Sequence, residues 1–292
     1  MIRKYLKPIL ALLVLLVTIA AFIYYFAKHP AALHQLAHIP PLTLIGLVVL
    51  YVVFLVTLGL IYTATLEVAG VPALSPKENL LLTIYSSIVN FFGPLQSGPG
   101  FRAVYLKKRY GVKIKNYAIA TLLYYVFFAG FSGLFLISGL VGWGAIFILA
   151  VLGLIILFTL LRSHLKFVQR FKALHLIGLY KLALATFLQV LTVAIIYFVE
   201  LKSVSSHVHF SQAIIYSGAA NFALFVSLTP GAIGFRESFL LFSKHLHHIS
   251  SSVVLSASLI DRAIYVVFLG LLFVFAVSIH AKAKLDAKAT RE

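Results

Sequence analysis

The chain has 292 residues, of which 62% are hydrophobic and only 11% are charged. Soluble domains carry roughly 25% charged residues, so this composition excludes a soluble globular protein and predicts an all-α integral membrane protein. The chain contains no cysteine, which excludes disulfides and thiolate metal sites, and its formal net charge is +17.

Six apolar stretches are each long enough to cross a hydrocarbon core, which takes about 20 helical residues. The first follows a basic start and ends in aromatic residues without a small-x-small cleavage site, so we predict a retained signal anchor. The longest polar segments between and after these stretches are loops and a short tail. We therefore predict one membrane domain over 1–292 and no soluble domain. The six predicted spans are 8–27, 42–65, 117–141, 143–161, 176–199 and 253–279.

Basic residues cluster in alternate loops rather than in one surface patch. They lie at the N-terminus, in 102–115, in 162–172 and in the C-terminal tail. This alternation is the positive-inside pattern, and it places both termini in the cytoplasm. The charge therefore reports topology and attraction to anionic lipids, and we predict no nucleic-acid partner.

Two regions rich in helix breakers interrupt the apolar pattern. Residues 78–101 must either enter the membrane and return on the same face or make two short crossings, because the segments on both sides of them are predicted to be cytoplasmic. Proline and glycine near the tip predict a re-entrant pair of half-helices there. The second region, 208–243, is predicted to open from the outer side because three crossings separate it from the first.

The two regions are related by a repeat. Both contain Asn-Phe, then Pro and Gly, then Gly-Phe-Arg, then an apolar segment with Tyr-Val-x-Phe-x-Gly. The offset between the copies is 131 residues at the asparagine, 134 at Gly-Phe-Arg and 140 at the tyrosine. We predict inverted halves at about 42–141 and 176–280, with 8–27 as an extra helix. Interrupted hydrophobic segments in inverted halves point to a central transport site. The alternative is that the small residues only let helices approach closely.

The broken helices predict an anion site, since their free N–H groups and positive dipole ends attract anions. We predict that Arg102 holds a lipid phosphate through its planar donor fork; the alternative is that it snorkels to the interface. In the second copy, a compensated buried network is one interpretation, and release of an arginine on protonation or lipid binding is the other. The predicted headgroup and transport residues are Asn90, Pro94, Gly98, Gly100, Arg102, Asn221, Pro230, Gly231, Gly234, Arg236, Glu237, Asp261 and Arg262.

Other polar residues are assigned smaller roles. Lys181 and Glu200 are expected to mark the ends of 176–199, and the tyrosine pairs at 24–25 and 124–125 to pack or to form interfacial belts. No metal or other cofactor is predicted, and the sequence has no GxxxxGK[ST], HExxH or GxSxG motif. The histidines with metal-like spacing lack neighbouring carboxylates; they are His34, His38, His245, His247 and His248.

The turn before Arg102, with "TPGAIGFRES" and "SASLIDRAIYVVF", resembles the transmembrane flippase-like region of the lysylphosphatidylglycerol synthase family over nearly the whole chain. The resemblance implies movement of aminoacylated phosphatidylglycerol, another phospholipid or a lipid-linked sugar carrier between leaflets of a bacterial or archaeal cytoplasmic membrane. It also places five residues on the family's polar positions: Arg102, Arg236, Glu237, Asp261 and Arg262.

Two departures from the family pattern set the halves apart. The turn "SGPGFR" lacks the acidic residue that many relatives carry before the arginine, and "TLLYYVFF" lacks the acid-arginine pair of "IDRAIYVVF". Full-length family members add a soluble aminoacyltransferase domain that is not in 1–292, so lysyl transfer is not expected.

We therefore predict a lipid flippase or transporter, with anionic lipids as its partners. Two alternatives stay open. One is a non-transporting membrane partner of a separate lipid synthase or glycosyltransferase. The other is an intramembrane headgroup transferase in which Glu237 and Asp261 act as acid and base.

Overall fold

The computed structural model describes residues 39–93, 97–162, 176–226, 232 and 234–289, together with Ala20, Tyr24 and Ala27. Every regular element in these residues is a helix, which confirms the all-α prediction for this part of the chain. The helices are α1 (Pro41–Val68), α2 (Pro76–Phe92), α3 (Gly98–Tyr110), α4 (Ile114–Arg162), α5 (Leu176–Val204), α6 (Phe210–Val226), α7 (Phe235–Phe242), α8 (Lys244–His247) and α9 (Ser251–Ala289).

Four stretches within the described helices are long and apolar enough to cross a membrane, and each coincides with a predicted span. They make the chain an integral membrane protein. The predicted span 8–27 lies outside the described residues except for three helical positions at 20, 24 and 27. The four stretches are Pro41–Val68, Ile114–Val141, Ile177–Val204 and Ser251–Ile279.

The chain reversal predicted between 117–141 and 143–161 is wrong. Helix α4 is continuous over 49 residues, and both predicted spans lie within it. The glycines in this region do not break the helix, because an isolated glycine costs only about 1 kcal/mol and no proline accompanies it. The count of six crossings is therefore not confirmed, and the opposite orientation of the halves, which rests on that count, stays a prediction.

Both breaker-rich regions form pairs of short helices that pack against each other: α2 with α3, and α6 with α7. Helices α2 and α6 have 17 residues each, α3 has 13 and α7 has 8. At 1.5 Å per residue the longest are about 26 Å, which is less than the roughly 30 Å that a full crossing requires. Both pairs are thus made of short helices, as the sequence predicts, and their re-entrant arrangement stays a prediction.

The α2–α3 pair is defined by its local sequence. The Ser75 side chain caps α2 by accepting a hydrogen bond from the Glu78 amide, and Gly111 ends α3 with a φ of 66°. Between the two helices, Gly98 lies so close to α2 that a Cβ would fall 2.6 Å from the carbonyl oxygen of Ser86. Glycine at 98 therefore sets the separation of the pair.

Helices α1 and α5 pack along each other at the centre, and α9 packs on α5 and α2. A buried cluster joins these four helices through Leu47, Ile84, Ile196 and Ile260. The outward face of α1 is apolar and exposed, as expected for a surface covered by lipid. The α2–α3 and α6–α7 pairs flank this centre.

Candidate functional site: a cavity with three arginines

A cavity of about 220 Å³ lies among the two short-helix pairs and the central helices, with walls from α1 to α7 and from α9. Aromatic rings form much of the wall, and three arginines and one aspartate add charge to it. The structure brings six of the predicted site residues together on this wall: Asn90, Arg102, Asn221, Arg236, Asp261 and Arg262.

Arg102, on α3, is the cation that the first short-helix pair contributes. It is only 2% exposed, so it does not snorkel to the surface. Its Cζ lies 3.1 Å from the centroid of the Tyr62 ring and 5.5 Å from that of Tyr117. Among the described residues, its Nε and Nη2 atoms have no hydrogen-bond partner and no carboxylate forms an ion pair with it.

Arg236, on α7, is the corresponding cation of the second pair. Its Nη1 donates to Asp261 Oδ2 at 2.5 Å, and its Cζ lies 5.1 Å from the Tyr197 ring centroid. Its Nε and Nη2 have no partner among the described residues. The same edge of the guanidinium, formed by Nε and Nη2, thus lacks a hydrogen-bond partner in both arginines, and such an edge can bind two oxygens of one phosphate.

The third arginine, Arg262 on α9, is fully engaged with α7. Its Nε and Nη2 donate to Glu237 Oε1 at 3.0 and 2.8 Å, and Ser258 Oγ donates to the same oxygen at 2.6 Å. Glu237 Oε2 accepts from the Gly234 amide at 2.9 Å and so caps α7. Two crossed, buried ion pairs, Arg236–Asp261 and Arg262–Glu237, therefore join α7 to α9. This is the compensated buried network that was one of the two interpretations of the sequence.

Glu200 is a functional candidate that the sequence interpretation missed. The prediction that it marks the end of an apolar stretch is wrong, because α5 continues to Val204 and Glu200 is 0% exposed. The Tyr51 hydroxyl lies 3.2 Å from Glu200 Oε1 and 2.7 Å from Asp261 Oδ1. Lys181, by contrast, lies at the surface near the start of α5 and pairs with Glu67.

The repeat could have identified the tyrosines that stack on the arginines. Tyr62 and Tyr197 are 135 positions apart, next to the offset of 134 between the two Gly-Phe-Arg motifs. The same spacing of 135 relates Glu200 to Thr65, which also lines the cavity. Extending the repeat upstream of the helix breakers would therefore have pointed to Glu200.

Tyr124 and Tyr125 line the cavity, and Tyr124 Oη donates to Gln189 Oε1 at 3.2 Å. They pack inside the protein and do not form an interfacial belt. Tyr265, the repeat partner of Tyr125, lines the cavity as well.

The remaining predicted residues have different roles in the two copies. Asn90 Oδ1 accepts from the Gly98 amide at 3.3 Å and caps α3, whereas Asn221 Nδ2 donates to Ser132 Oγ at 3.2 Å. An added Cβ at Gly100 would meet nothing within 4 Å. Three predicted residues lie outside the described residues: Pro94, Pro230 and Gly231.

Of the three histidines near α8, one is packed inside the protein and two are exposed. His247 is buried; its Nε2 contacts the Leu240 carbonyl and its Nδ1 accepts from the Ile249 amide. The part of the chain that the structure describes holds no group of three metal-binding side chains. His34 and His38 lie outside that part.

A carboxylate also lies outside the cavity, at the start of α2. Glu78 accepts hydrogen bonds from the hydroxyls of Tyr105 and Tyr110 on α3. These bonds lower the pKa of Glu78 from its ordinary value, and the bond to Glu78 raises the pKa of Tyr105 to about 12. This cluster joins the two helices at the ends away from the break.

A family model described as the lysylphosphatidylglycerol synthase TM region matches residues 9–272. The chain belongs to this family. The match spans both short-helix pairs and every cavity residue named above, and it confirms the resemblance drawn from the motifs. Membership in the lysylphosphatidylglycerol synthase TM family indicates a function connected with membrane lipids. A search of curated proteins finds no match to the chain.

Proposed function

We propose that this protein moves a lipid with an anionic phosphate headgroup between membrane leaflets and holds the phosphate between Arg102 and Arg236. The observation that supports this most is that two arginines lining one cavity, one from each short-helix pair, each have a guanidinium edge without a hydrogen-bond partner among the described residues. One phosphate between these edges would accept hydrogen bonds from all four nitrogens. The acyl chains would stay in the bilayer.

The energetics favour an anionic ligand. An arginine buried without a carboxylate is costly at membrane depth, and the open edge of Arg102 adds unsatisfied donors to that cost. A phosphate offsets both terms, because it supplies negative charge and acceptor oxygens together. Phospholipids, aminoacylated phospholipids and lipid-linked sugar carriers all share this group.

In this proposal the fold provides alternating access. The α2–α3 pair belongs to the half at about 42–141 and the α6–α7 pair to the half at about 176–280, and both pairs are re-entrant. Rocking of one half against the other would expose the cavity to each leaflet in turn. Anionic lipids of the membrane are the partners, and the headgroup enters from the cytoplasmic side near Arg102.

The residues that the structure describes do not favour the headgroup transferase. Glu237 is held by Arg262 and by the cap of α7 and is not on the cavity wall, so the two carboxylates that this alternative needs do not face the cavity together. A general acid or base must be able to reach the proton that it transfers. Release of a transferred group by the purified protein would revive this alternative.

The test is exchange of labelled phosphatidylglycerol between leaflets of proteoliposomes. Arg102→Ala and Arg236→Ala should each slow exchange at least about tenfold, equivalent to about 1.4 kcal/mol. Arg109→Ala is the matched control, since Arg109 is exposed on the same helix as Arg102 and should leave exchange unchanged. Arg102→Lys should resemble Arg102→Ala, because lysine lacks the bidentate edge.

Two results would count against the proposal. Full exchange in Arg102→Lys would contradict the proposed bidentate contact between Arg102 and the phosphate. Exchange no faster than in protein-free liposomes, for phosphatidylglycerol and polyprenyl phosphate alike, would favour a non-transporting partner of a separate lipid-modifying enzyme.

A further inference from the structure

Glu200 is buried next to the cavity but is not part of its wall. Its side chain is 0% exposed, and the cavity ends at Tyr51 and Asp261, which lie between it and the open space. Its Oε2 has no hydrogen-bond partner among the described residues. A lipid headgroup in the cavity would not reach Glu200, whereas a proton can pass through a hydroxyl.

Two carboxylates share the single hydrogen of the Tyr51 hydroxyl. A tyrosine hydroxyl has one hydrogen, and Tyr51 lies within hydrogen-bond distance of two carboxylates. The shorter contact is to Asp261, which forms a salt bridge with Arg236, so the hydrogen of Tyr51 points there. Glu200 Oε1, 3.2 Å from the same hydroxyl, is then left without that hydrogen, and a protonated Glu200 would instead donate to the Tyr51 oxygen.

The charge balance of the site depends on that proton. Three buried cations, Arg102, Arg236 and Arg262, face two paired carboxylates, Asp261 and Glu237. With Glu200 ionised, these groups sum to zero. With Glu200 protonated, the sum is +1, which one phosphate monoanion neutralises.

We propose that Glu200 binds a proton that enters and leaves together with the anionic headgroup, one proton for each phosphate monoanion. This inference rests on the proposed function for its anion and adds the ion that drives transport. The two ligands stabilise each other, because each compensates the charge that the other brings into a buried site. The pair moves as a neutral unit across the membrane.

Tyr51 provides the route for the proton. Glu200 gives its hydrogen to the Tyr51 oxygen while Tyr51 gives its own to Asp261, so one proton moves one step and the tyrosine stays neutral. From Asp261, on the cavity wall, the proton passes to water in the cavity. The reverse sequence loads Glu200.

The groups that face Glu200 come from several helices, and few are charged. Arg236 and Asp261 are the ionised groups among its neighbours, so the charge that Glu200 senses comes from this pair and from an anion bound beside it. Lys202, on the same helix, is directed away and donates to the Ser206 carbonyl. The neighbouring titratable and charged groups are Tyr51 of α1, Tyr197 of α5, Tyr216 of α6, Arg236 of α7 and Asp261 of α9.

The test measures binding of short-chain phosphatidylglycerol to the purified protein in neutral detergent, by calorimetry across pH. Wild-type affinity should fall about tenfold per pH unit above the titration of Glu200, because proton and anion bind together. In that range, heats in buffers of different ionisation enthalpy should show uptake of one proton per lipid. Glu200→Gln, which keeps a neutral side chain, should bind with an affinity independent of pH.

Two further variants complete the design. Glu67→Gln makes the same change in a partly exposed pair and should retain the wild-type pH dependence. Tyr51→Phe removes the acceptor of the Glu200 proton and should move the loss of affinity to lower pH, which also serves if Glu200→Gln does not fold. The infrared carbonyl band of a protonated carboxylic acid should be present in the wild type and absent in Glu200→Gln.

The outcomes separate the two proposals. Binding that is tight at every pH in the wild type, with no proton uptake, would overturn the coupling and leave the headgroup site intact. No binding at any pH would overturn the headgroup site and the coupling with it. An infrared band that persists in Glu200→Gln would overturn the assignment of the proton to Glu200.

Discussion

The two halves place an arginine on the same cavity but surround it differently. Each arginine stacks on a tyrosine, Tyr62 in the first half and Tyr197 in the second. In the second half Asp261 pairs with Arg236, whereas the corresponding position of the first half is Thr121, four residues before the tyrosine that both halves share. The repeat therefore retains the cation and its stacking ring, whereas the counter-charge is confined to one half.

The acidic residues follow the same division. In the second half Glu200 and Asp261 are buried within the cavity region, and the equivalent positions of the first half carry threonines. The nearest carboxylate of the first short-helix pair is Glu78, which lies at the end of the pair away from the cavity. The first half therefore offers an uncompensated cation, and the second offers a cation balanced by groups that can take up protons.

The largest expected effect is on the stability of the second half. Glu237→Gln leaves Arg262 buried without a counter-charge and also weakens the cap of α7. Removing one partner of a buried ion pair costs about 3–5 kcal/mol, so the unfolding free energy in detergent should fall by that amount.

Glu67→Gln is the matched control for this loss. Glu67 pairs with Lys181, whose side chain is 56% exposed, and an exposed pair contributes about 0–1 kcal/mol. Equal losses in the two variants would mean that the crossed ion pairs do not stabilise the second half.

A second prediction removes the asymmetry itself. Thr121→Asp places a carboxylate in the first half at the position that Asp261 holds in the second, on the cavity wall shared with Arg102. The new charge should compete with the phosphate for Arg102 and slow lipid exchange at least about tenfold, equivalent to about 1.4 kcal/mol.

Thr121→Asn separates the charge from the change in shape, because asparagine has nearly the size of aspartate and is neutral. It should retain most of the exchange. If both variants slow exchange equally, the lack of a carboxylate beside Arg102 has no role in phosphate binding.

Much of this arrangement could be predicted from the sequence, because it follows from local patterns. Hydropathy located the four described spans, and glycine and proline located the two short-helix pairs. The sequence also predicts that the arginines of the two Gly-Phe-Arg motifs belong to a shared site, because a charged residue at membrane depth needs a role or a partner.

What the sequence did not predict depends on packing between distant helices. A single glutamate near the end of an apolar stretch is typical of a membrane boundary, and only the packing of α1 and α9 on α5 buries Glu200. The continuity of α4 was missed for a similar reason, since glycines permit a turn without requiring one.

A third prediction tests how strongly each arginine depends on its tyrosine. Arg102 has only aromatic neighbours to offset its charge among the described residues, whereas Arg236 also has Asp261. A desolvated cation–π contact contributes about 2 kcal/mol. Tyr62→Leu should therefore lower the unfolding free energy by more than Tyr197→Leu does, by about 1 kcal/mol.

The comparison is made in neutral detergent and repeated with short-chain phosphatidylglycerol present. The anion should reduce the difference, because it supplies the counter-charge that Arg102 lacks. A larger loss in Tyr197→Leu would reverse the assignment of the uncompensated cation to the first half.

The smallest expected effect concerns Glu78, the carboxylate that the first half keeps outside the cavity. Hydrogen bonds from Tyr105 and Tyr110 lower its pKa from the ordinary value, so its ionised form is more stable in the folded protein than in the unfolded chain. Its contribution is therefore fully present above the unfolded pKa and is lost as pH falls through the folded pKa. The thermal midpoint of the wild type should drop as pH is lowered from about 6 to below about 4.

In Tyr105→Phe this acid-dependent drop should shrink by a small, measurable amount, because the first of the two hydrogen bonds is gone, while lipid exchange at neutral pH stays at the wild-type rate. The two readouts distinguish a structural carboxylate from a functional one. A loss of exchange in Tyr105→Phe would mean that the α2–α3 ends take part in headgroup entry, and the division of acidic residues between the halves would then be functional on both sides.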